Sequence, residues 1–272
     1  LGFCLASAAH AQTPAQAVQP EGIAPAEAAP APAAEPAPED EAAAEDEALP
    51  VVAAPGDPLE SLNRKVYGFN DAVDRALIEP VAKGYRKFTP GFFRSGVRNF
   101  LHNLSSPVIL ANDVLQGEPK RAGDTVGRFA LNTTVGVLGL FDVAEKAGIE
   151  KHDEDFGQTL GKWGVGPGAY LMLPFFGPSN VRDLTGRIVD IAIDPITYAR
   201  FDHDDEAKAI RFGMDQLTQR TDAIDAIDTL RTTSIDPYAA ARSVYEQSRE
   251  SAIANGREGA EDSPESQDNL SE

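Results

Sequence analysis

Few residues in this chain are spaced for bond-making chemistry. The sequence contains no Gly-x-Ser-x-Gly elbow, no His-Glu-x-x-His pair and no Walker loop, so the common nucleophile, zinc and phosphate-cradle arrangements are missing. Gly164-Val-Gly166-Pro-Gly168 has a superficial likeness to a dinucleotide fingerprint. Pro167, the missing third glycine and the lack of a preceding strand all argue against that reading. His152-Asp153-Glu154-Asp155 has donor types that suit a cation, but acidic clusters at a helix start more often cap it and stay solvated. No metal or cofactor is therefore assigned. His102 and His203 have no evident partner in sequence. Cys4 is the single cysteine, which excludes an intramolecular disulfide, a cysteine nucleophile downstream and a thiolate metal site.

Two stretches carry a different kind of chemistry. Pro80 to Asn112 holds Lys83, Arg86, Lys87, Arg94 and Arg98 and no acid, in a chain of net charge -19. Tyr85, Phe88, Phe92, Phe93 and Phe100 are interleaved with these bases. Rings beside cations suit a phospholipid headgroup interface, where rings enter the acyl boundary and bases meet phosphate. The same residues also fit a core of rings with a solvated basic face. The second stretch, Gly164 to Gly177, carries no charge and follows the only tryptophan, Trp163. Glycines and prolines interrupt it too often for a long helix or strand, and it is shorter than the roughly 20 residues a helix needs to cross a bilayer.

The elements that position these stretches read as helices. Asp57-Pro58-Leu59-Glu60 looks like an N-cap, a first-turn proline and an N3 glutamate. Leu59, Leu62, Val66, Phe69, Val73 and Leu77 then recur at helical spacing, up to a stop or bend at Pro80. Ala122, Val126, Phe129 and Ala130 mark one face of a helix from Pro119 to Thr134, and Val135 to Phe141 is a short apolar run. Ser179 is placed to cap a helix that turns Val181, Leu184, Ile188 and Ile191 inward and stops at Asp194-Pro195. Asp204 to about Leu230 reads as the longest helix, and Asp236-Pro237 starts a last one. Breaks are expected at Pro107, at Gly117-Glu118-Pro119 and at Gly136. No convincing alternating strand appears, so the body is predicted to be all-α.

Charge sets the domain limits. Residues 57–250 hold 28 Asp and Glu against 23 Lys and Arg, whereas the flanks hold 15 acids against Arg257 alone. The acidity belongs to the tails and argues against nucleic acid as a partner. Residues 1–11 read as the remnant of a signal peptide, with Ala9-His10-Ala11 as a cleavage site. Leu1-Gly2-Phe3-Cys4 offers the alternative of lipidation at Cys4. Residues 12–56, rich in Ala, Pro and Glu, are expected to form a disordered linker, and 255–272 an acidic disordered tail. The helical domain is expected over 57–254.

Several motifs together resemble the MlaA/VacJ family. They are Asp57-Pro-Leu-Glu-x-x-Asn63-Arg64 with Tyr67 and Phe69-Asn70, then Asn112-Asp113-x-Leu115-Gln116-Gly117 and Arg128-Phe129-x-x-Asn132-Thr133. Phe156-Gly157-x-Thr159-Leu160-Gly161, Gly164-Val165-Gly166-x-Gly168-x-Tyr170, Leu173-Pro174, Arg182-Asp183 and Asp236-Pro-Tyr238 follow in the family's order. The resemblance implies a non-enzymatic component of outer-membrane phospholipid transport. It implies a ring of short amphipathic helices in the inner leaflet, open through an amphipathic channel. Glycerophospholipid would be its cargo, with a trimeric porin and a periplasmic lipid carrier as partners. Within that reading Tyr170, Leu171, Leu173, Phe175 and Phe176 are candidates for the lipid path or the leaflet-facing surface. Arg94 and Arg98 are candidates for headgroup contact, and Gly164, Gly166, Gly168 and Gly177 for hinges. The competing reading is a structural envelope protein that binds a porin without moving lipid.

Overall fold

The computed structural model describes residues 57–200 and 202–254. The predicted signal segment with Cys4, the linker and the acidic tail lie outside the described residues. Eleven helices appear among those described. They are α1 (Glu60–Val73), α2 (Glu79–Phe88), α3 (Gly91–Leu115), α4 (Pro119–Thr134), α5 (Val143–Lys146), α6 (Phe156–Lys162), α7 (Val181–Ile193), α8 (Pro195–Tyr198), α9 (Asp204–Asp222), α10 (Ile224–Thr233) and α11 (Pro237–Ile253). The helical fold is as expected. The one addition is an antiparallel hairpin between α6 and α7, β1 (Tyr170–Leu173) with β2 (Gly177–Asn180), in which Tyr170 pairs with Asn180 and Leu173 with Gly177. It falls in the stretch where glycine and proline exclude a helix. Its second strand, Gly-Pro-Ser-Asn, has no apolar alternation for sequence reasoning to catch.

Proline did not break the chain where expected. Pro80 lacks an N–H and would clash with the carbonyl one turn back. The backbone widens into a π turn over Asp74–Ile78, with the Glu79 N–H donating to the Asp74 carbonyl, and the helix resumes. Pro107 likewise lies inside α3, which at 25 residues is the longest helix in place of the expected 204–230 segment. That segment divides at Ala223 into α9 and α10. Ala223 is fully buried against Ile227, Leu230 and Val244, and packing into this corner redirects the chain.

The caps also shift. Asp57 does not cap α1: it is buried, accepting from Asn63 Nδ2 at 2.8 Å and from the Tyr238 hydroxyl. Asn180 takes the role expected of Ser179, accepting from the Asp183 N–H at 2.7 Å. Asp155 and Asp236 cap α6 and α11 as their sequence context indicated.

The largest correction concerns which face points inward. Leu59, Leu62, Phe69 and Leu77 of the α1 stripe are exposed and Val66 and Val73 half-buried, while the neighbouring Glu60, Asn63 and Asn70 are buried. In α4, Val126 and Phe129 face out and Thr125, Arg128 and Asn132 face in. In α7, Val181, Ile188 and Ile191 are exposed and Arg182 and Gly186 buried. Across the described residues, buried polar and charged side chains outnumber buried apolar ones. Buried apolar side chains gather at the C-terminal corner, with Ile224, Ile227 and Ala241, and beneath the hairpin, where Tyr170, Met172, Tyr238 and Tyr245 cluster; Ala82, Leu101, Ile109 and Ala144 are buried singly elsewhere. No described helix is long and apolar enough to cross a membrane.

Candidate functional site

A network of buried polar side chains runs around α3. Asn112, with no exposed surface, donates to Asp190 Oδ1 at 3.0 Å and accepts from Thr159 Oγ1 at 2.8 Å. Its neighbour Asp113 accepts from Thr125 Oγ1 at 2.6 Å and contacts His152 Nε2 at 3.1 Å. Gln116 and Arg121 converge on buried Glu154 at 2.6 and 2.5 Å. The His152–Asp155 cluster thus serves internal pairing and capping. Burial, with negative Asp155 nearby, pushes the Asp190 carboxyl up to about 6, against the opposing pull of the Phe156 N–H and the Asn112 amide. A half-paired network of this kind would cost more than an apolar core. Here the short Asn, Asp, Thr and Gln side chains hold facing helices at one spacing.

Two asparagines of α1 aim the hairpin. Asn63 and Asn70 are seven residues, about two turns, apart and share one helix face. Asn63 donates to the Tyr170 carbonyl at 3.1 Å and accepts from the Met172 N–H at 2.9 Å. Asn70 donates to the Leu173 carbonyl and accepts from the Phe175 N–H, both at 2.9 Å. Each carboxamide pairs with the free edge of β1 as a neighbouring strand would, and so closes that edge. The turn it fixes presents Phe175 at φ 65°, an uncommon value for a non-glycine residue, followed by Gly177 at φ 80°.

The predicted candidates separate on this scaffold. Tyr170 is a correction: it is 2 % exposed, edge-on to Tyr238 and Tyr245 and covered by Arg242, so it belongs to the core and not to a lipid-facing surface. Leu171 and Leu173 are half-buried. Phe175 is 61 % exposed and stands edge-on to Phe69 at 5.4 Å. Phe176 contacts Phe212 of α9 and lies under the Arg187 guanidinium. Gly164, Gly168 and Gly177 all adopt positive φ; Gly166 does not. At Gly168 a Cβ would come within 3.2 Å of Val181, so both space and backbone favour glycine there. Arg94 and Arg98 sit apart from the hairpin's contacts, on α3. Arg98 is engaged with Asp222 at 2.9 Å, while Arg94 Nε is buried without an acceptor.

Between the hairpin turn, the π turn and α9 lies a cavity of about 290 Å3. Val73, Ile78, Phe175 and Phe212 supply its apolar walls, and Asn70, Asp74, Gln216 and Arg220 its polar ones. Asp74 is the pivot. Burial alone would raise its carboxyl, but Arg220 at 2.7 Å and Arg231 at 2.7 Å overcome this and hold it below the ordinary carboxylate value. Sequence reasoning found Phe175 and missed the rest. Asp74 and Arg220 are 146 residues apart, and nothing local ties them.

The exterior completes the picture. Phe88, Phe92 and Phe93 are exposed at the α2–α3 junction, with Lys87 Nζ 5.5 Å from the centre of the Phe88 ring. The run after α4 exposes Val135, Val137, Leu138, Leu140 and Phe141. Val137 and Leu138 hold φ of 55° and 60°, and the turn is pinned by Asn132, which accepts the Gly139 N–H at its carbonyl and the Val143 and Ala144 N–H groups at its side chain.

Comparison with known proteins agrees with this architecture. A solved chain from work on the "structural basis for maintenance of bacterial outer membrane lipid asymmetry" superposes with a TM-score of 0.65 at 34% identity, covering 72% of this chain and 98% of that one. The intermembrane phospholipid transport system lipoprotein MlaA of Escherichia coli K12 is 35% identical over 206 residues, 74% of this chain and 80% of its own length. The protein of the same description from Haemophilus influenzae is 32% identical over 210 residues, 76% of this chain and 82% of its own. An uncharacterized protein of Rickettsia typhi is 37% identical over 198 residues, 72% of this chain and 78% of its own. The MlaA lipoprotein family profile matches residues 55–252, and this chain belongs to the MlaA lipoprotein family.

Proposed function

We propose that this protein is the outer-membrane component of a retrograde phospholipid transport system. It removes mislocalised glycerophospholipids from the outer leaflet and so maintains lipid asymmetry. It works as a passive conduit, without chemistry of its own, from the periplasmic face of the membrane. The observation that carries this reading is the inversion of its helices, with polar faces joined inside and apolar faces outside. Exposed apolar surface on this scale marks a membrane or protein interaction site. With no spanning helix among the described residues, it suits helices that lie in one leaflet with their rings in the acyl region and their bases at phosphate. The role of the Escherichia coli and Haemophilus influenzae relatives in intermembrane phospholipid transport supports the same assignment.

Within this reading the helices form a ring in the inner leaflet, held beside a porin trimer. Lipid leaves through an amphipathic channel to a periplasmic carrier. A polar wall lowers the barrier for the headgroup, because an unpaired phosphate is costly in an apolar medium. Phe175 and Phe176, with Leu171 and Leu173 behind them, are the tail-contacting positions. Arg94 and Arg98 meet headgroups, and the glycines 164, 166, 168 and 177 give the apolar stretch its freedom to move. The test is outer-leaflet phospholipid content in cells lacking the protein, in cells complemented by the intact chain, and in cells carrying Phe175→Asp. Accumulation on deletion, reversed by the intact chain and not by Phe175→Asp, is expected. Normal asymmetry in the deletion strain would overturn the reading.

A further inference from the structure

Thr89 and Pro90 make the corner between α2 and α3. Proline disfavours helix at the residue before it, and Thr89 is extended at φ -102° and ψ 123°, so α2 stops at Phe88 and α3 starts afresh at Gly91. Three rings sit at this break. Phe88 is 79 % exposed, Phe92 80 % and Phe93 54 %, so the core holds none of them. Lys87 and Arg94 flank them in sequence, and Lys87 Nζ lies over the Phe88 ring.

The acid-free stretch that contains this corner has five bases, and the fold divides them. Lys83 pairs with Glu79 at 2.6 Å and with Asp228 at 3.2 Å, Arg86 with Asp225 at 2.9 Å and Arg98 with Asp222 at 2.9 Å. Acids of α9 and α10 thus meet the charge of three bases. Among the described residues no carboxylate pairs with Lys87, which is exposed, or with Arg94, which is half-buried with its Nε inaccessible. The two uncommitted cations are the two beside the rings.

A zwitterionic headgroup brings an ammonium that offsets its own phosphate, whereas phosphatidylglycerol or cardiolipin leaves the phosphate charge unmet. Spare protein charge beside apolar rings fits the second kind of surface. We infer that the α2–α3 corner is an interfacial anchor selective for anionic phospholipid, with Phe88, Phe92 and Phe93 in the acyl boundary and Lys87 and Arg94 on the phosphates. The anchor deepens the transport reading and rests on its placement of the helices in a leaflet. It adds Lys87 to the headgroup contacts and gives those contacts a lipid class. Its occupant is the lipid of the leaflet, not cargo in transit.

The chain's net charge makes the test sharp, because at -19 the protein as a whole is repelled by an anionic surface. Flotation of the purified full chain is measured with vesicles of dioleoyl phosphatidylcholine, alone or with about a third replaced by dioleoyl phosphatidylglycerol. At low salt, binding is expected to be at least about tenfold tighter with the anionic lipid, since each base near such a surface is worth about fivefold. High salt should remove that advantage and leave binding to phosphatidylcholine. Lys87→Gln, at an exposed position outside any ion pair, should lower the advantage about fivefold and leave binding to phosphatidylcholine unchanged. Arg86→Gln, one residue away but already paired with Asp225, should alter it by less than about twofold. Equal binding to the two vesicles, or weaker binding to the anionic one, would overturn the selectivity and leave the transport reading standing. Equal losses in Lys87→Gln and Arg86→Gln would mean that bulk charge decides, and the assignment to this corner falls. Binding to neither vesicle would remove the anchor together with the leaflet placement on which it rests.

Discussion

Two regions of this molecule obey opposite packing rules. In α1, α4 and α7 polar side chains hold the buried positions and much of the apolar stripe is exposed; at the α10–α11 corner, Ile224, Ile227 and Ala241 are buried as in a water-soluble protein. An amphipathic helix turns its apolar face to the lowest-dielectric surroundings it can reach. For α10 and α11 those surroundings are the rest of the chain. For the others they lie outside it, and the protein interior becomes the polar side of the arrangement. The inverted region is therefore built for an apolar environment, and the contrast within one chain argues that the leaflet takes over the work of the core.

The comparison is sharpest at the buried charges. In the inverted region Asp74→Ala should strand Arg220, whose Nε and Nη2 both rely on Asp74. Removing one partner of a buried pair costs about 3–5 kcal/mol, and the loss should appear as a lower denaturant midpoint of the detergent-solubilised protein. In the conventional corner Ile227→Ala removes a fully packed side chain, 1 % exposed against Ala223 and Leu230, at a cost of about 2–4 kcal/mol. A small loss for Asp74→Ala beside a full loss for Ile227→Ala would mean that the ion pairs decorate the inverted region without holding it.

The exposed rings give the next test. Phe92 is 80 % exposed and Phe93 54 %, so neither supports the fold. Replacing both by Glu should change unfolding free energy by no more than about 0.5 kcal/mol. Each ring seated in a leaflet contributes about 1.5–3 kcal/mol of burial, so binding to phosphatidylglycerol-containing vesicles should fall by at least tenfold per ring. Equal flotation of variant and native protein would place the membrane contact elsewhere, with the Val135–Phe141 run as the next candidate.

Much of the fold was legible in the sequence, and for a physical reason its sidedness was not. Periodicity reports that a helix has an apolar face, and Leu59, Leu62, Phe69 and Leu77 reported it correctly. It does not report whether water, lipid or protein meets that face. The buried residues of α1, Asn63 and Asn70, were visible only as motif letters, because their partners are backbone groups of a hairpin more than 100 residues away. Phe175 and Phe176 could be picked out by their apolar neighbourhood. Tyr170, two residues before Met172 on the same strand face, shared that neighbourhood and faces the opposite way, toward Tyr238 and Tyr245. The cavity stayed hidden because Asp74, Gln216 and Arg220 come from distant segments, and because a π turn over Asp74–Ile78 carries the chain on where a stop or bend at Pro80 was expected.

The smallest effect concerns Asp190, which lies where α3, α6 and α7 meet. Its carboxyl accepts from the Phe156 N–H at 3.1 Å and from Asn112 at 3.0 Å, yet burial beside Asp155 pushes it up to about 6. The folded state therefore holds a proton there that the unfolded chain, near the ordinary aspartate value of about 4, has already released. Between about pH 4 and pH 6 the native protein binds more protons than the unfolded one, so this group's contribution to stability declines as pH rises through that window. At neutral pH the folded protein carries a poorly solvated charge. Asp190→Asn keeps an oxygen to accept both hydrogen bonds and removes that charge. It should stabilise the protein at pH 7.5 by about 1–2 kcal/mol and leave stability at pH 4 nearly unchanged. Denaturant midpoints measured across the window should accordingly flatten toward high pH in the variant. An unchanged pH dependence would show that water reaches Asp190, and that the polar interior at this point is wet where the comparison with the α10–α11 corner requires it to be closed.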